Sequence, residues 1–443
     1  MMAKDPLEPD AAMSGMSGSE GAGSWQHDPA TRLPHQTDMP DGTQTNGQRL
    51  KRLRMRRRWD QRKLAEVTGY SLSAVRKFEQ GQRSLDRAEV ILAFSKALDC
   101  HPTEITGQPY TPRDSDCEGQ AAIASVGAVR RALLRHGRPS RLTEQEAAEV
   151  DLSSLRERVA AANGHRQSAS LAKLGGLLPA LLRDIQVAVD VFTGDQRREA
   201  YDLLASGYEC AMQYLYKLGH SSDATLATER VLWSAEQTED PLRVLSARWY
   251  DAGELLTIGE HEEAGAIIDD ALTALGAMST DSPERVSLTG AFHLKASLNC
   301  ARATDGKAAE RHLKKAEEQA GLLGEDRNDF ELQFGPTNCA IWSVSLPVEM
   351  GQGQAAVRRA EQITQSLPKQ YAPERRSHHY IDVGRAYYYN GQHDKALESF
   401  VNAERLAPQA TRMHAGVRET THAMLNSHRR TALFEFGMRL GVV

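Results

Sequence analysis

Two adjacent cations in a short amphipathic segment are the residues of this chain best suited to contact nucleic acid. The segment SLSAVRKFEQGQR occupies positions 71–83, and its cations are flanked by the apolar residues Val75 and Phe78. An arginine guanidinium can donate two parallel hydrogen bonds to a guanine edge, and a lysine can neutralise a phosphate. If the segment is a helix, its apolar residues share one face. The side chains on the outward face are then Leu72, Ser73, Arg76 and Lys77.

The charge of the surrounding sequence favours the same chemistry. Positions 47–107 contain 14 Lys and Arg against 7 Asp and Glu, a local net charge of +7. Because the whole chain has a net charge of −5, the other residues together carry −12. A basic module joined to an acidic body is typical of a protein that meets a polyphosphate with one end only. The alternative interpretation is a solvated cationic face, the usual meaning of a charge run.

Four or five short helices must position this segment. The first is the basic stretch GQRLKRLRMRRRW, whose apolar stripe includes Leu50 and Leu53. Asp60 is a suitable N-cap for the second helix, and Gly69 is suited to the tight turn that ends it. Ser71 can cap the third helix. The sequence therefore predicts two helices joined by a tight turn, with the second exposing the cations.

The spacing of these residues resembles the helix-turn-helix of the Cro/CI repressor, or XRE, family. The resemblance covers positions 47–106, and the residues in register are Gln61, Leu64, Ala65, Gly69, Ser71, Val75, Glu79 and Gly81. It implies that Gln61 contacts a phosphate and that Arg54 pairs with Glu79 inside the module. It also implies that the outward residues of the third helix face bases or the adjacent backbone.

Two departures from the family pattern change the expected contacts. Leu72 is apolar where several relatives carry Gln, so it can touch a thymine methyl group but cannot donate a bidentate bond. The first helix ends in three consecutive arginines, which we expect to add phosphate contacts. The predicted DNA-contacting residues are Gln61, Leu72, Ser73, Arg76, Lys77, Arg57, Arg58 and Arg83.

Composition divides the chain into four parts. Residues 1–46 are rich in Gly, Ser, Asp, Met and Thr without a hydrophobic period, which predicts a disordered tail. The helix-turn-helix module follows at 47–106, and a Pro/Gly/Asp-rich linker follows at 107–120. Residues 121–443 have a helical period almost throughout. Five scattered cysteines, no signal peptide and no long apolar stretch predict a cytoplasmic protein with free thiols that does not enter the membrane.

The second half contains internal repeats. In 379–409 the residues with tetratricopeptide spacing are Tyr380, Gly384, Tyr387, Ala396, Phe400, Ala403 and Pro408. Weaker copies place alanines at 264, 309 and 356, and the last segment should be a capping helix or pair. The predicted fold is therefore all-α: a lambda-repressor-like helix-turn-helix bundle followed by a tetratricopeptide-like α-solenoid.

Region 121–443 also resembles an actinobacterial group of XRE regulators with repeat-bearing C-terminal halves. The stretch GEDRNDFELQFGPTNCAIW at 324–342 carries this resemblance. Similar two-part proteins of Gram-positive bacteria and their phages are receptors for short signalling peptides. That analogy concerns architecture alone.

A solenoid has a concave inner surface on which a ligand could bind. The residues predicted to face it are Trp249, Lys295, Arg302, Asn338, Trp342, Arg385, Tyr388 and Tyr389. Asn can bond a peptide backbone, Arg or Lys can bind a carboxylate, and aromatic rings can take apolar groups. The alternatives are packing between repeats for the aromatic residues, solvation for the two arginines, and helix capping for Asn338.

No motif predicts catalysis, a metal or a cofactor. GQGQAA at 351–356 has the form G-x-G-x-x-A but occupies a repeat turn with no preceding strand. HEEAG at 261–265 is not H-E-x-x-H, and the pair His378 and His379 has no acidic or cysteine partner at metal spacing. We therefore expect no enzymatic activity.

These patterns predict a cytoplasmic, homodimeric transcription regulator that binds double-stranded DNA. Two heads on a near-palindrome would supply the affinity that one small head lacks. We expect the repeats to dimerise and to sense a signalling peptide or a small metabolite. One alternative is a DNA-tethered adaptor whose repeats dock a partner protein without sensing a small ligand. Another is an enzyme with a DNA tether.

Overall fold

The computed structural model describes residues 44–138, 145, 148–279, 282–427 and 430–443. Within these ranges the regular elements are all helices, apart from an isolated antiparallel bridge between Arg327 and Phe334. The all-α prediction is confirmed: a helix-turn-helix bundle precedes a solenoid-like packing of consecutive helices. None of the described helices is both long and apolar enough to span a bilayer. The predicted disordered tail lies, up to residue 43, outside the described residues.

Five helices form the N-terminal bundle, which we call the head. They are α1 (Asn46–Arg56), α2 (Gln61–Thr68), α3 (Leu72–Glu79), α4 (Ala88–Leu98) and α5 (Pro102–Thr106). In their common core Leu50, Leu64, Val75 and Phe94 are fully buried. Each such side chain contributes about 1.5–3 kcal/mol by leaving water. The core therefore fixes α3 against the rest of the head.

Two helix caps move the predicted segment boundaries slightly. Thr45 and Gln48 form a capping box, with Thr45 Oγ1 3.1 Å from Gln48 N and Gln48 Oε1 2.8 Å from Thr45 N. Helix α1 therefore begins at Asn46, the last residue of the predicted tail. Asp116 accepts from Gly119 N at 3.1 Å and starts the next helix at Cys117, inside the predicted linker.

The rest of the chain is an array of helices that we call the repeats. The bounds are α6 (Cys117–Ala124), α7 (Val126–Leu134), α8 (Leu152–Gln167), α9 (Leu171–Val191), α10 (Gly194–Lys217), α11 (Ser221–Glu236), α12 (Pro241–Ile258), α13 (His261–Ala277), α14 (Pro283–Arg302), α15 (Gly306–Leu323), α16 (Pro336–Glu349), α17 (Gly353–Ile363), α18 (Pro373–Tyr389), α19 (His393–Leu406), α20 (Pro408–Arg412), α21 (Ala415–Ser427) and α22 (Thr431–Leu440). From α8 to α19, each helix packs on the next. Helices α21 and α22 form the predicted terminal pair.

Small residues opposite large ones set the spacing between these helices. A Cβ on Gly384 of α18 would lie 2.5 Å from Phe400 Cε1 of α19, so only glycine lets these helices approach so closely. Ala396 and Ala403 are fully buried beside Phe400. The alternation of small and large residues predicted for 379–409 is thus present as packing between two helices.

An irregular segment interrupts the repeats between α15 and α16. It contains a 3-10 turn at Asp329–Glu331, and Arg327 there pairs with Asp329 at 2.7 Å. Phe334 is fully buried where a Cβ on Gly290 of α14 would clash with it. Asp326 Oδ1 accepts from Thr337 N at 2.9 Å and so caps α16. The stretch 324–342 is therefore an anchored connection inside the array.

Candidate nucleic-acid interface and adjoining cavity

The turn between α2 and α3 is fixed by caps on both helices. Asp60 Oδ1 accepts from Lys63 N at 2.7 Å, and Ser71 Oγ accepts from Ala74 N at 3.1 Å. Gly69 ends α2 at φ +72°, a left-handed conformation that favours glycine. Each of these features was predicted from the sequence, and together they orient α3.

The outward face of α3 is open to solvent and cationic. Ser73, Arg76 and Lys77 are exposed, whereas Leu72 is half-buried against the head core. Neither cation of α3 forms an ion pair with a described carboxylate. Long cations held on a rigid helix without internal partners can reach base edges and phosphates. Leu72 presents only part of its side chain to a thymine methyl group.

A buried ion pair holds α1 to α3. Arg54 donates to both oxygens of Glu79, from Nε at 2.6 Å and from Nη2 at 2.9 Å, as the family resemblance implied. Gln61 Nε2 also donates to Glu79 Oε2, at 2.8 Å. The amide of Gln61 is therefore engaged inside the head in this structure, and its phosphate contact stays a prediction.

Of the three remaining candidate arginines, Arg57 and Arg58 directly follow α1 and Arg83 follows α3. Arg57 is exposed but pairs with Asp99, with Nη2 and Oδ2 2.9 Å apart. Arg83 is exposed and lies over the ring of Phe78, 5.0 Å from its centroid. Arg58 is exposed at the end of α1. Arg58 and Arg83 can meet phosphate without breaking a described ion pair, whereas Arg57 would have to exchange partners.

The head is joined to the repeats through a buried arginine of α18. Arg385 donates from Nε to Asp86 Oδ2 at 3.1 Å and from Nη2 to the Asp86 carbonyl at 3.3 Å. Its Nη1 donates to Glu349 at 3.2 Å and to Asp382 at 3.4 Å. Tyr389 donates its hydroxyl to Asp86. We call these five residues the Arg385 cluster. It connects the loop before α4 to two repeat helices.

A buried glutamate of α21 makes a second connection. Glu419 Oε2 accepts from Asn46 N at 3.1 Å, and Oε1 accepts from Leu85 N at 3.3 Å. Burial raises the pKa of Glu419 to about 7, although both backbone hydrogen bonds oppose the rise. One carboxylate thus joins the first turn of α1 and the loop after α3 to the end of the repeats.

The head and Gln108, two residues after its last helix, approach two turns in the earlier part of the array. At Gly259, after α12, a Cβ would lie 3.2 Å from Leu92 Cδ1 of α4. At Gly219, after α10, a Cβ would lie 2.9 Å from Gln108 Cβ. Both glycines have positive φ, of 84° and 82°. The head therefore contacts the repeats at places far apart in the sequence.

A cavity of about 470 Å³ lies where the head faces the repeats. Its head side is formed by α4, α5 and the residues that follow, and its repeat side by helices from α10 to α21. The lining includes Leu92, Glu254, Leu298, Arg302, Trp342, Glu349, Arg375 and Arg385. A molecule bound in it would touch both parts of the protein.

Three of the predicted ligand residues line this cavity: Arg302, Trp342 and Arg385. The two arginines are not solvated, because each is engaged by buried carboxylates. Arg302 Nε lies 3.0 Å from Glu349 Oε2, and its Nη1 donates to the Leu256 carbonyl at 3.3 Å. Burial would raise the pKa of Glu349, but Arg302 and Arg385 hold it at about 2. The carboxylate is therefore charged.

The other predicted ligand residues lie outside the cavity lining. Asn338 is buried, and its Oδ1 accepts from Arg375 Nη2 at 2.8 Å. Asp326, and not Asn338, caps the start of α16. Tyr388 is half-buried and stacks on His393, with centroids 5.5 Å apart. Tyr389 belongs to the Arg385 cluster.

Trp249 and Lys295 form a pair next to the cavity. Trp249 donates from Nε1 to the Ala291 carbonyl at 3.0 Å, and Lys295 Nζ lies 3.4 Å from the centroid of the Trp249 ring. Lys295 is 6% exposed and forms no ion pair with a described carboxylate. Burial, together with the nearby Arg302, lowers the pKa of Lys295 to about 7.

Sequence reasoning missed Asp86, Glu419 and Arg375. Asp86 and Glu419 contact residues that are 299 and 334 positions away in the sequence, and no periodicity reveals such contacts. Arg375 lies in the first turn of α18 and resembles any solvated cation in the sequence. No group of His, Cys, Asp or Glu in the described part of the chain could hold a metal ion. His379 is fully buried and bonds Thr364 Oγ1 at 2.9 Å.

Comparison with known proteins identifies the head. A family described as helix-turn-helix domain matches residues 47–106. No curated protein sequence matches the chain. Among solved structures, that of BtubC (BKLC) from P. vanneervenii is 16% identical and aligns over 58% of this chain and 91% of that one, with a TM-score of 0.33. A likeness this distant carries no conclusion about the repeats.

Proposed function

We propose that the chain is a sequence-specific transcription regulator that reads duplex DNA with α3, works as a homodimer, and senses a peptide or small molecule in the cavity. The helix-turn-helix domain indicates a DNA-binding regulator. The observation that carries the proposal is the position of the cavity, because one of its walls is the DNA-binding head itself. A binding site built on that wall offers a direct route from ligand to DNA affinity.

DNA reading is supported by the capped α3 and its exposed cations. A recognition helix enters the major groove, where bidentate arginine contacts distinguish one base pair by about 1–3 kcal/mol. Arg76 is exposed on the rigid helix and is not neutralised by a described carboxylate. Specific binding normally needs two such heads about 34–36 Å apart on the duplex, which is the reason to propose a homodimer.

A ligand can control DNA binding if it makes different contacts with two arrangements of the head. A ligand changes an equilibrium only by binding its states unequally. When the head is seated on the repeats, a molecule in the cavity can contact Leu92 and Trp342 together. When the head is displaced, the bound molecule loses its contact with Leu92. Ligand binding therefore favours one head arrangement, and the spacing of two heads in a dimer changes with it.

Footprinting on the gene's own and adjacent promoters, with the full chain and Arg76→Ala, tests the DNA-reading part. We expect a protected near-palindrome, and a loss of about 1–3 kcal/mol at one base position in the variant. Arg405→Ala, an exposed arginine of α19, is the matched control and should bind normally. A uniform loss on all sequences would remove the base-reading role, and no protected duplex would overturn the proposal.

Sedimentation analysis tests the homodimer, and operator titration with and without culture extract tests sensing. Ligand-dependent release or capture of the operator supports the receptor. Co-purification of one stoichiometric protein, with no effect of any extract, supports the adaptor instead.

A further inference from the structure

We propose that the repeat side of the cavity is a site for a ligand carboxylate, in which Lys295, Arg302 and Arg375 form the anion-binding group. Trp249 and Trp342 would flank the body of the ligand. This inference rests on the sensing part of the proposed function and adds the chemical class of the ligand: a carboxylate attached to a flat or apolar body.

The position of Lys295 is the first argument. On α14, Lys295, Leu298 and Arg302 are three and four residues apart and so share a face. Leu298 and Arg302 line the cavity, and Lys295 continues the same face by one turn. A buried ammonium group normally has a carboxylate partner, because an unpaired buried charge is costly. In the described part of the protein Lys295 has instead the ring of Trp249.

Glu254 is the described carboxylate with the strongest influence on Lys295, but it is directed elsewhere. Its oxygens accept from Thr225 Oγ1 at 3.1 Å and from Thr228 Oγ1 at 3.3 Å, both on α11. Burial raises the pKa of Glu254, Lys295 lowers it in part, and the two side chains form no ion pair in the described structure. The ammonium group is left for an incoming anion.

Arg375 supplies the second cation. It lines the cavity, its Nη2 donates to the neutral Asn338, and its Nε is buried without a hydrogen-bond partner in the described structure. Its guanidinium lies 6.0 Å from the Trp342 ring centroid. An arginine with free donors beside an aromatic ring suits a planar carboxylate next to an apolar group.

Arg302 makes the third contribution. It shares the Glu349 carboxylate with Arg385, so two guanidinium groups rest on one carboxylate. Arg302 and Arg375 each lie close enough to Lys295 for their repulsion to lower the pKa of its ammonium group. A bound carboxylate would relieve this repulsion.

The carboxylate could belong to a small organic acid or to the C-terminus of a short peptide. Both sources are tested by paired probes: small aromatic and aliphatic acids against their primary amides, and short apolar peptides with free against amidated C-termini. Thermal stability and tryptophan fluorescence of the full chain, without DNA, are the readouts. We expect acids to stabilise the protein more than their amides. A difference between acids and their amides identifies a small organic acid as the ligand, and a difference between free and amidated peptides identifies a peptide C-terminus.

Lys295→Met should weaken binding of the effective acid at least about tenfold, since a charge-assisted contact is worth more than 1.4 kcal/mol. Lys173→Met, an exposed lysine of α9, is the matched control. No preference for any acid over its amide, or unchanged affinity in Lys295→Met, overturns the inference. Operator binding by the ligand-free protein is a separate readout. If the protein fails to bind the operator, that result counts against the DNA-reading proposal alone.

A ligand-free measurement gives a second test. If Lys295 is held for a ligand, Lys295→Met should raise the melting temperature of the free protein by roughly 1–3 °C, because a buried cation without a carboxylate partner is replaced by an apolar side chain. The control variant should change it less. A clear fall in melting temperature would show that Lys295 stabilises the fold itself and would contradict the inference.

Discussion

Replacing Arg385 with methionine should loosen the head from the repeats. Arg385 is 5% exposed and contacts Asp86, Glu349 and Asp382. Removing one partner of a buried ion pair costs about 3–5 kcal/mol, because the remaining charge stays buried. Glu349 keeps its ion pair with Arg302 at 3.0 Å, so Asp86 and Asp382 are the carboxylates left without a cation. We expect a fall of about 3–4 kcal/mol in the free energy of unfolding or of head release.

Asp86→Ala should cost less, because Arg385 keeps two carboxylates. A hydrogen bond to a charged group contributes about 1.5–3 kcal/mol, which sets the expected loss. The two substitutions remove the same contact, so the double variant should be more stable than additivity predicts, by at least about 1 kcal/mol. Arg405→Met, on the exposed side of α19, should change stability by less than about 0.5 kcal/mol.

Urea unfolding followed by tryptophan fluorescence measures these changes, and amide exchange in 107–116 reports head release below the global transition. Exchange there should rise in Arg385→Met and stay normal in the control. Additive effects of the two substitutions within about 0.5 kcal/mol, with unchanged exchange, would refute the view that the Arg385 cluster holds the head.

Three further changes have defined outcomes. Arg54→Leu leaves a buried carboxylate without its bidentate partner, and circular dichroism should show a loss of about 3–5 kcal/mol; a loss below 1 kcal/mol would contradict the reasoning. Burial raises the pKa of Glu419 to about 7 from an ordinary 4.5. Relative to Glu419→Gln, the wild type should therefore lose stability as the pH rises from about 4.5 to about 7, and equal pH slopes would argue against this. Gly384→Ala should destabilise by about 1–3 kcal/mol, because the new Cβ meets Phe400 at 2.5 Å, whereas Gly276→Ala, with nothing within 4 Å, should be neutral or stabilising in the same urea assay.

The helix-turn-helix was predictable because its signals are local. Asp60, Gly69 and Ser71 act on backbone groups within three residues, so their types reveal the caps and the turn directly. The pairing of Arg54 with Glu79 spans 25 residues and came from the family resemblance. Helical period likewise identified the repeat helices, and the pairing of small and large residues in 379–409 identified one close helix pair.

The arrangement of head and repeats could not be predicted in this way. Asp86 and Arg385 are separated by 299 residues, and neither has a neighbourhood that differs from that of a solvated side chain. Of the residues that the inner-surface pattern selected, Arg302, Trp342 and Arg385 line the cavity, and their contact with a ligand stays a prediction. It assigned Arg385 to a ligand or to solvent, whereas the structure places it in an ion pair with the head.

The contacts of the head on both early and late helices of the array have a mechanical consequence. In an ideal solenoid each helix pair contacts only its neighbours, so its curvature can change easily. Here Lys217 of α10 also pairs with Glu374 of α18, with Nζ and Oε1 2.6 Å apart, which limits that change. The head contacts Gly259 on one side and Arg385 and Glu419 on the other, so we expect these contacts to restrict the curvature of the array further. A fragment that begins at residue 121 lacks the head and all of its contacts with the repeats. The curvature of its helical array should change, and the surface that it presents to any bound molecule should differ from that of the intact chain.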